Sequence, residues 1–259
     1  MAALFCQSLE LPAGISSLNC NTEEHAVTDV VGRAFAGDQT HDPEFSLNWC
    51  LVPELADRSD PQRVEITRFF LSFTVRQHGY WTRGLTLGVR GGDGELQAVC
   101  VCRKLDRAKP VLETLAESSS YVYQMASSIA YGRVPKLLMD DAQKATAEAL
   151  ERRSNPCQDM LKTMHKDHAD APHWYVAILA VDPEHQGKGL GAKLIRAVSA
   201  MADKDGLPCY LECSGPRNKA VYEHLGYEEK GVYALIDEGV AGQVPFRELF
   251  AMVRPCVKV

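Results

Sequence analysis

The stretch HWYVAILAVDPEHQGKGLGAKLIRAVSA, residues 173–200, decides the fold. Its first nine residues are an almost unbroken apolar run between Pro172 and Asp182, which reads as a buried strand. Leu190, Leu194, Ile195, Val198, Met201 and Ala202 then recur at helical spacing as one apolar stripe, and Gly206 closes the helix. Between strand and helix stand Gly187, Gly189 and Gly191, three glycines in five positions. A chain gives up side chains in this way where its backbone must take a positive φ or touch something closely.

Three ligands compete for such a loop. A nucleoside-triphosphate loop needs Gly-x-x-x-x-Gly-Lys-Ser/Thr. Counted from Gly187, Ala192 stands in place of the second glycine and Leu194 in place of the hydroxyl for magnesium, so that reading fails. A dinucleotide loop fits better: Gly187-x-Gly189-x-x-Ala192 matches the permitted pattern, and Glu212 ends the next strand where a ribose-binding acid belongs. Against it, residues 182–186 separate the strand from the turn. No further strand–helix alternation follows to build a doubly wound sheet. The third ligand is a coenzyme with a pyrophosphate. Backbone N–H groups at a helix N-terminus form an anion site, and the helix dipole adds to it.

A second segment, SGPRNKAVYEHLGY (214–227), stands one strand further on, after LPCYLEC (207–213). Pro216 suits the first helical position and Gly226 the residue past the end. Asn218 and Tyr222 are four apart and share one helix face. Together, Gln186-x-x-Gly189-x-Gly191-Ala192 and Asn218-x-x-x-Tyr222-x-x-Leu225-Gly226-Tyr227 resemble the GNAT superfamily of N-acetyltransferases. A closer resemblance, over residues 173–230, is to puromycin N-acetyltransferase-like proteins.

The resemblance implies an α/β (α+β) GNAT fold in one domain, residues 1–259. A mixed, mostly antiparallel central sheet would be flanked by helices, with a helical insertion over about 104–172 before the acetyl-CoA-binding strand. It implies acetyl-CoA as co-substrate, an acetyltransfer to a primary amine of a small molecule, and no metal. Gln186, Gly187, Lys188, Gly189, Gly191 and Ala192 would hold the pyrophosphate, and backbone N–H groups near Ala180 and Val181 the thioester carbonyl. Asn218 would bond the pantetheine arm or the loop. Tyr222 takes the family's place for the acid that protonates the departing thiolate. Glu212 is the candidate base; pairing with Arg217 or capping the next helix is the alternative. Cys213 reads as a buried thiol, because no histidine stands at a partnering spacing. A protein or peptide acetyltransferase and a non-catalytic acyl-CoA sensor are the alternative functions.

The rest of the chain is consistent with this order. Residues 22–36 carry helical periodicity with Thr22 as a candidate N-cap, and 62–78 read as a second helix. Two strand-like runs flank Gly91-Gly92-Asp93-Gly94, a hairpin signal over 85–103. Residues 136–153 and 160–168 read as further helices. His165 and His168 are three apart, but lack a partner at metal-ligand spacing and read as a solvated face. VYALID (232–237) and RELFAMVR (247–254) read as closing strands.

A hydrophobic content of 46% supports a substantial core, and a net charge of −6 argues against a nucleic-acid partner. Nine cysteines without a Cys-x-x-Cys pair predict reduced, mostly buried thiols, with Cys100 and Cys102 alternating onto one face of a strand. The first residues, MAALFCQSLELPAG, lack a basic region and a long apolar run, and no stretch reaches the length of a membrane helix. The expectation is a cytoplasmic protein with no membrane partner, and a homodimer is left open.

Overall fold

The computed structural model describes residues 11–37, 57, 60–79, 84–105, 156–234 and 248–257. Seven strands form one sheet in the order β1-β2-β3-β4-β5-β7-β6. They are β1 (Ser16–Ser17), β2 (Leu85–Arg90), β3 (Leu96–Leu105), β4 (His173–Val181), β5 (Cys209–Ser214), β6 (Glu228–Tyr233) and β7 (Leu249–Arg254). Every pairing is antiparallel except β4–β5. A parallel pair needs a long crossover, and helix α4 (Leu190–Asp205) supplies it. The other helices are α1 (Cys20–Ala36), α2 (Pro61–Gly79), α3 (residues 156–168) and α5 (Gly215–His224). This is the mixed, mostly antiparallel sheet with flanking helices that the sequence led us to expect.

The amphipathic elements divide the core into layers. On one face of the sheet, Leu194, Ile195, Val198 and Ala202 of α4 pack on Leu87, Cys100, Cys102, Val176, Leu211 and Phe250. Full burial of each large aliphatic side chain contributes roughly 1.5–3 kcal/mol, so this seam alone accounts for much of the attachment of α4. On the other face, Val27, Val30 and Val31 of α1 and Val75 of α2 cover Val99, Val101, Ile178 and Ala180. Further along that face, Met164 of α3 packs against Tyr210, Leu249 and Ala251. Cys100 and Cys102 both lie on the α4 side, as their alternation predicts.

Several boundaries differ from the sequence reading. The cap of α1 is Asn19 rather than Thr22. The Asn19 carbonyl accepts from the N–H groups of Thr22 and Glu23, and Glu23 Oε2 accepts the Asn19 N–H at 2.7 Å. This reciprocal pair begins the helix before its apolar periodicity does. Strand β5 starts at Cys209 rather than 207. The strand expected over 232–237 lies earlier, at Glu228–Tyr233. It is a sheet edge carrying Glu228, Glu229 and Lys230, so it shows no apolar alternation. The helix expected over 136–153 lies outside the described residues, as does most of the expected insertion.

Candidate active site

The loop between β4 and α4 is built around Asp182. Its carboxylate caps a single 3₁₀ turn, Pro183–His185, by accepting from Glu184 N at 3.1 Å. The same side chain receives Arg33 of α1 through Nε at 2.8 Å and Nη2 at 2.7 Å. Gln186 Nε2 donates back to the Val181 carbonyl at 3.4 Å. The five residues that separated strand from glycines are thus a clamped turn.

Gly187 and Gly189 both have a φ of 76°, the left-handed region that disfavours side chains. A Cβ at either would meet nothing of the protein within 4 Å, so both face open space. Gly189 is the N-cap of α4, and no side chain caps that helix. Its first N–H groups are therefore available to an anion. Gly191 differs: a Cβ there would touch Leu179 and Val181 at ordinary contact distance, 3.5 Å. Lys188 is exposed, and Ala192 lies in the first turn of α4.

The adjoining strands part company. β4 and β5 pair only at Trp174↔Cys209 and Tyr175↔Tyr210. Beyond them β4 runs on to Val181 and β5 to Ser214 without pairing to each other. At the mouth of this wedge β4 is bulged: Cys102 opposes Val176 and Val101 opposes Ile178, which leaves Ala177 unmatched. The bulge flips the alternation of the strand. Trp174 and Val176 face α4 before it; Leu179 and Val181 face α4 after it. Ala180 and Val181 lie at the far end of the wedge next to the glycine loop, paired on their other side with Val99 and Ala98. Their sequence gave no sign of the bulge, because Ala177 carries no distinguishing side chain.

Helix α5 follows β5 directly. Tyr222 is partly buried among the residues on the α4 side, and its ring meets Tyr227 edge to face at 5.7 Å. Burial, and then the neighbouring Cys213 and Cys100 thiols, push its pKa well up, so it remains a phenol. Asn218 is exposed, and its Nδ2 donates to the Ser214 carbonyl at 2.9 Å, tying the start of α5 to the end of β5. Cys213 is a buried thiol outside any disulfide.

Glu212 lies on the opposite face. Cys209, Leu211 and Cys213 of β5 point toward α4, so Tyr210 and Glu212 alternate to the α3 side. The Glu212 side chain is only 7% exposed. Tyr175 Oη donates to its Oε2 at 3.0 Å. Its Oε1 has no hydrogen bond among the described residues, and His165 Nδ1 stands 3.7 Å away. Glu212 neither pairs with Arg217 nor caps α5 through any contact described. Burial, then Glu212, raises the pKa values of both Tyr175 and Tyr210, so both stay protonated beside it.

His165 is a correction to the sequence reading. It is not on a solvated face. Its ring packs edge-on against Tyr175 at 4.7 Å and Tyr210 at 4.9 Å, and its Nε2 lies 3.1 Å from His173 Nε2. His168, its expected companion, turns to Tyr233 Oη at 2.9 Å. No group of three or more His, Cys, Asp or Glu among the described residues could hold a metal. The sequence reading missed Tyr175, His173 and His165 as neighbours of Glu212. The available signal was His173/Tyr175 and Tyr210/Glu212, two polar-tipped pairs at period two in otherwise apolar strands.

Residues 144–229 match the family described as the acetyltransferase (GNAT) domain. Over that stretch the chain is similar to GNAT-type acetyltransferases. Two Schizosaccharomyces pombe proteins named as uncharacterized N-acetyltransferases are similar to it. One is 41% identical over 69 residues, 27% of this chain and 26% of its own length. The other is 35% identical over 80 residues, 31% of this chain and 33% of its own length. The matches thus span about a quarter to a third of these curated relatives. Among solved structures, one described as histone acetyltransferase HPA2 and related acetyltransferase from Corynebacterium glutamicum superposes with a TM-score of 0.52 at 18% identity, covering 95% of this chain and 97% of that one. Arylalkylamine N-acetyltransferase 2 from Aedes aegypti superposes with a TM-score of 0.50 at 17% identity, covering 93% and 97%. These two likenesses establish the fold. No helix among the described residues is long and apolar enough to cross a membrane.

Proposed function

We propose that the protein is an N-acetyltransferase that moves the acetyl group of acetyl-CoA directly to a primary amine of a small molecule. The observation that carries this reading is the β4–β5 wedge. A glycine loop and an uncapped helix N-terminus stand at one end of it, and Tyr222 and Glu212 lie on opposite faces of the sheet that it divides. Direct transfer needs that arrangement: an acid on the donor side and a base on the acceptor side of one gap.

Gly187 to Ala192 would seat the pyrophosphate on the free N–H groups of α4, with Gln186 holding the loop to β4. Opened β4 backbone beside the wedge would receive the thioester carbonyl and the oxyanion formed from it. Glu212, directly or through water, takes a proton from the amine as the new C–N bond forms. The C–S bond breaks with its electron pair on sulfur, and Tyr222 gives the thiolate its proton. The proton on Glu212 then leaves through solvent, and one from solvent restores Tyr222. The raised pKa of Tyr222 makes it a reluctant acid, but the same apolar surroundings make a departing thiolate strongly basic.

The small-molecule acceptor rests on two supports: the puromycin-acetyltransferase-like motif over 173–230, and the anionic, aromatic-walled surroundings of Glu212, which suit an amine. The test is titration calorimetry with acetyl-CoA and NADH, followed by acetylation of a panel of polyamines, aminonucleosides and peptides with detection of free coenzyme thiol. Acetyl-CoA binding and turnover of a non-peptide amine are expected. NADH binding instead, turnover of peptides alone, or no turnover of any amine would each overturn the proposal.

A further inference from the structure

His165 and His173 form a chain whose proton positions are fixed by one carbonyl. His173 Nδ1 lies 2.7 Å from the Ala171 carbonyl, and a carbonyl oxygen can only accept. His173 Nδ1 therefore carries the hydrogen, and in the neutral ring Nε2 is the acceptor. That Nε2 lies 3.1 Å from His165 Nε2, so His165 must donate from Nε2. Neutral His165 is then bare at Nδ1. The bare nitrogen faces Glu212 Oε1 across 3.7 Å, and Oε1 is buried without a hydrogen bond among the described residues. Two lone pairs face each other at 3.7 Å, a separation somewhat beyond a hydrogen bond that a proton on either atom would draw closed. The other carboxylate oxygen is occupied by the Tyr175 hydroxyl at 3.0 Å, so an added proton is directed to Oε1.

We infer that Glu212 and His165 act as one proton-accepting pair, with His173 as the positioning residue that keeps His165 Nδ1 bare. The inference rests on Glu212 being the base of the acetyltransferase proposed above. The proton that leaves the amine comes to Glu212 and is shared with His165 Nδ1; no other bond changes. His165 is the more exposed end of the chain, with 26% of its side chain accessible, so it is also the exit to solvent. The device stands because His173 resists protonation. Burial is the main cause, with the Arg103 charge adding to it, and its pKa falls to about 4 even though the Ala171 hydrogen bond opposes the shift. A charged His173 would have no acceptor nitrogen. The ionisable groups packed on the pair are Tyr175 and His173 of β4, Tyr210 of β5, His78 of α2 against Tyr175, Arg103 of β3, and Tyr233 of β6 beyond Tyr210.

The test has a spectroscopic and a kinetic arm. Long-range proton–nitrogen correlation spectra of the histidine-labelled full chain at pH 7 read the tautomers directly, with His165→Phe and His173→Phe giving the assignments. The expected result is His165 protonated at Nε2 and His173 at Nδ1. His165 protonated at Nδ1 overturns the inference, whether or not an amine is ever acetylated. In the kinetic arm, with an accepted amine, each variant should lower kcat by roughly 10- to 100-fold and leave the KM for acetyl-CoA within about twofold. Each should also move the acid limb of kcat/KM to lower pH. His165→Phe removes the nitrogen that shares the proton, and His173→Phe frees His165 to turn an N–H toward the carboxylate. The double variant should be no slower than the slower single one. Unmoved pH profiles, or additive losses, would overturn the inference while leaving acetyltransfer intact. A protein that acetylates nothing would overturn the proposed function, and the tautomers would still decide the pair.

Discussion

Two glycines at opposite ends of α4 allow the loop's ligand role to be separated from its turn role. Gly189 begins the helix with φ 76° and Gly206 ends it with φ 70°. A Cβ added at either meets nothing within 4 Å. Alanine at both positions should therefore carry the same cost, the left-handed penalty alone, about 1–2 kcal/mol. For a chain of this size that corresponds to a fall in Tm of about 2–8 °C. The two should differ sharply toward acetyl-CoA. At Gly189 the new methyl occupies the open space in front of the free N–H groups of α4. Loss of one charge-assisted hydrogen bond there costs about 1.5–3 kcal/mol, or roughly a 10- to 150-fold rise in Kd. Gly206→Ala lies a full helix length away and should bind normally. Thermal unfolding measures the first quantity and titration calorimetry the second. Equal acetyl-CoA affinity in two equally destabilised variants would refute the reasoning: Gly189 would then be a turn residue only.

The depressed His173 pKa predicts an acid-labile fold. The unfolded histidine takes up its proton near pH 6.5 and the folded one only near pH 4, so the unfolded state binds more protons between those values and stability falls as the pH drops through that window. The full shift corresponds to about 3 kcal/mol at the lower end. Urea unfolding at pH 7 and pH 4.5 should show this decline in the natural protein and a shallower one in His173→Phe. The thiols supply a separate check on burial. Cys100, Cys102, Cys209 and Cys213 are buried, and burial pushes Cys209 up to about 12. Cys256 is half-exposed. Cys256 should react with an aromatic disulfide reagent before any of those four, which should react only on unfolding. Mass mapping of the labelled peptides decides it.

What could be read from the sequence was local. Strand β4, the α4 stripe and the hairpin at Gly91–Gly94 follow from periodicity and turn chemistry within a few residues. The glycine loop is legible for the same reason, because its proposed role lies in backbone N–H groups and in the absence of side chains, which a run of glycines displays directly. Edge strand β6 was displaced because no strand among the described residues pairs with its outer edge, so charge replaces alternation. The bulge at Ala177 was invisible because it is a property of the pairing with β3, not of the residue.

The surroundings of Glu212 were hidden for a different reason. His165, Tyr175 and Glu212 come from α3, β4 and β5, and each stands among residues whose own pattern has another explanation. On a helix viewed alone, a histidine counts as polar and is assigned to solvent. Only the sheet shows that this polar residue faces a buried carboxylate. Such a site can be found in sequence by asking which strand positions break an apolar alternation without reason. His173, Tyr175, Tyr210 and Glu212 all do, and they do so on one face of two adjacent strands. In the proposed mechanism the donor loop is written in contiguous residues. The proposed acceptor side is assembled across the fold, so a change in α3 would alter the surroundings of Glu212 while the glycine loop stays as it is. Specificity for the amine should therefore be sought in the elements packed on that face.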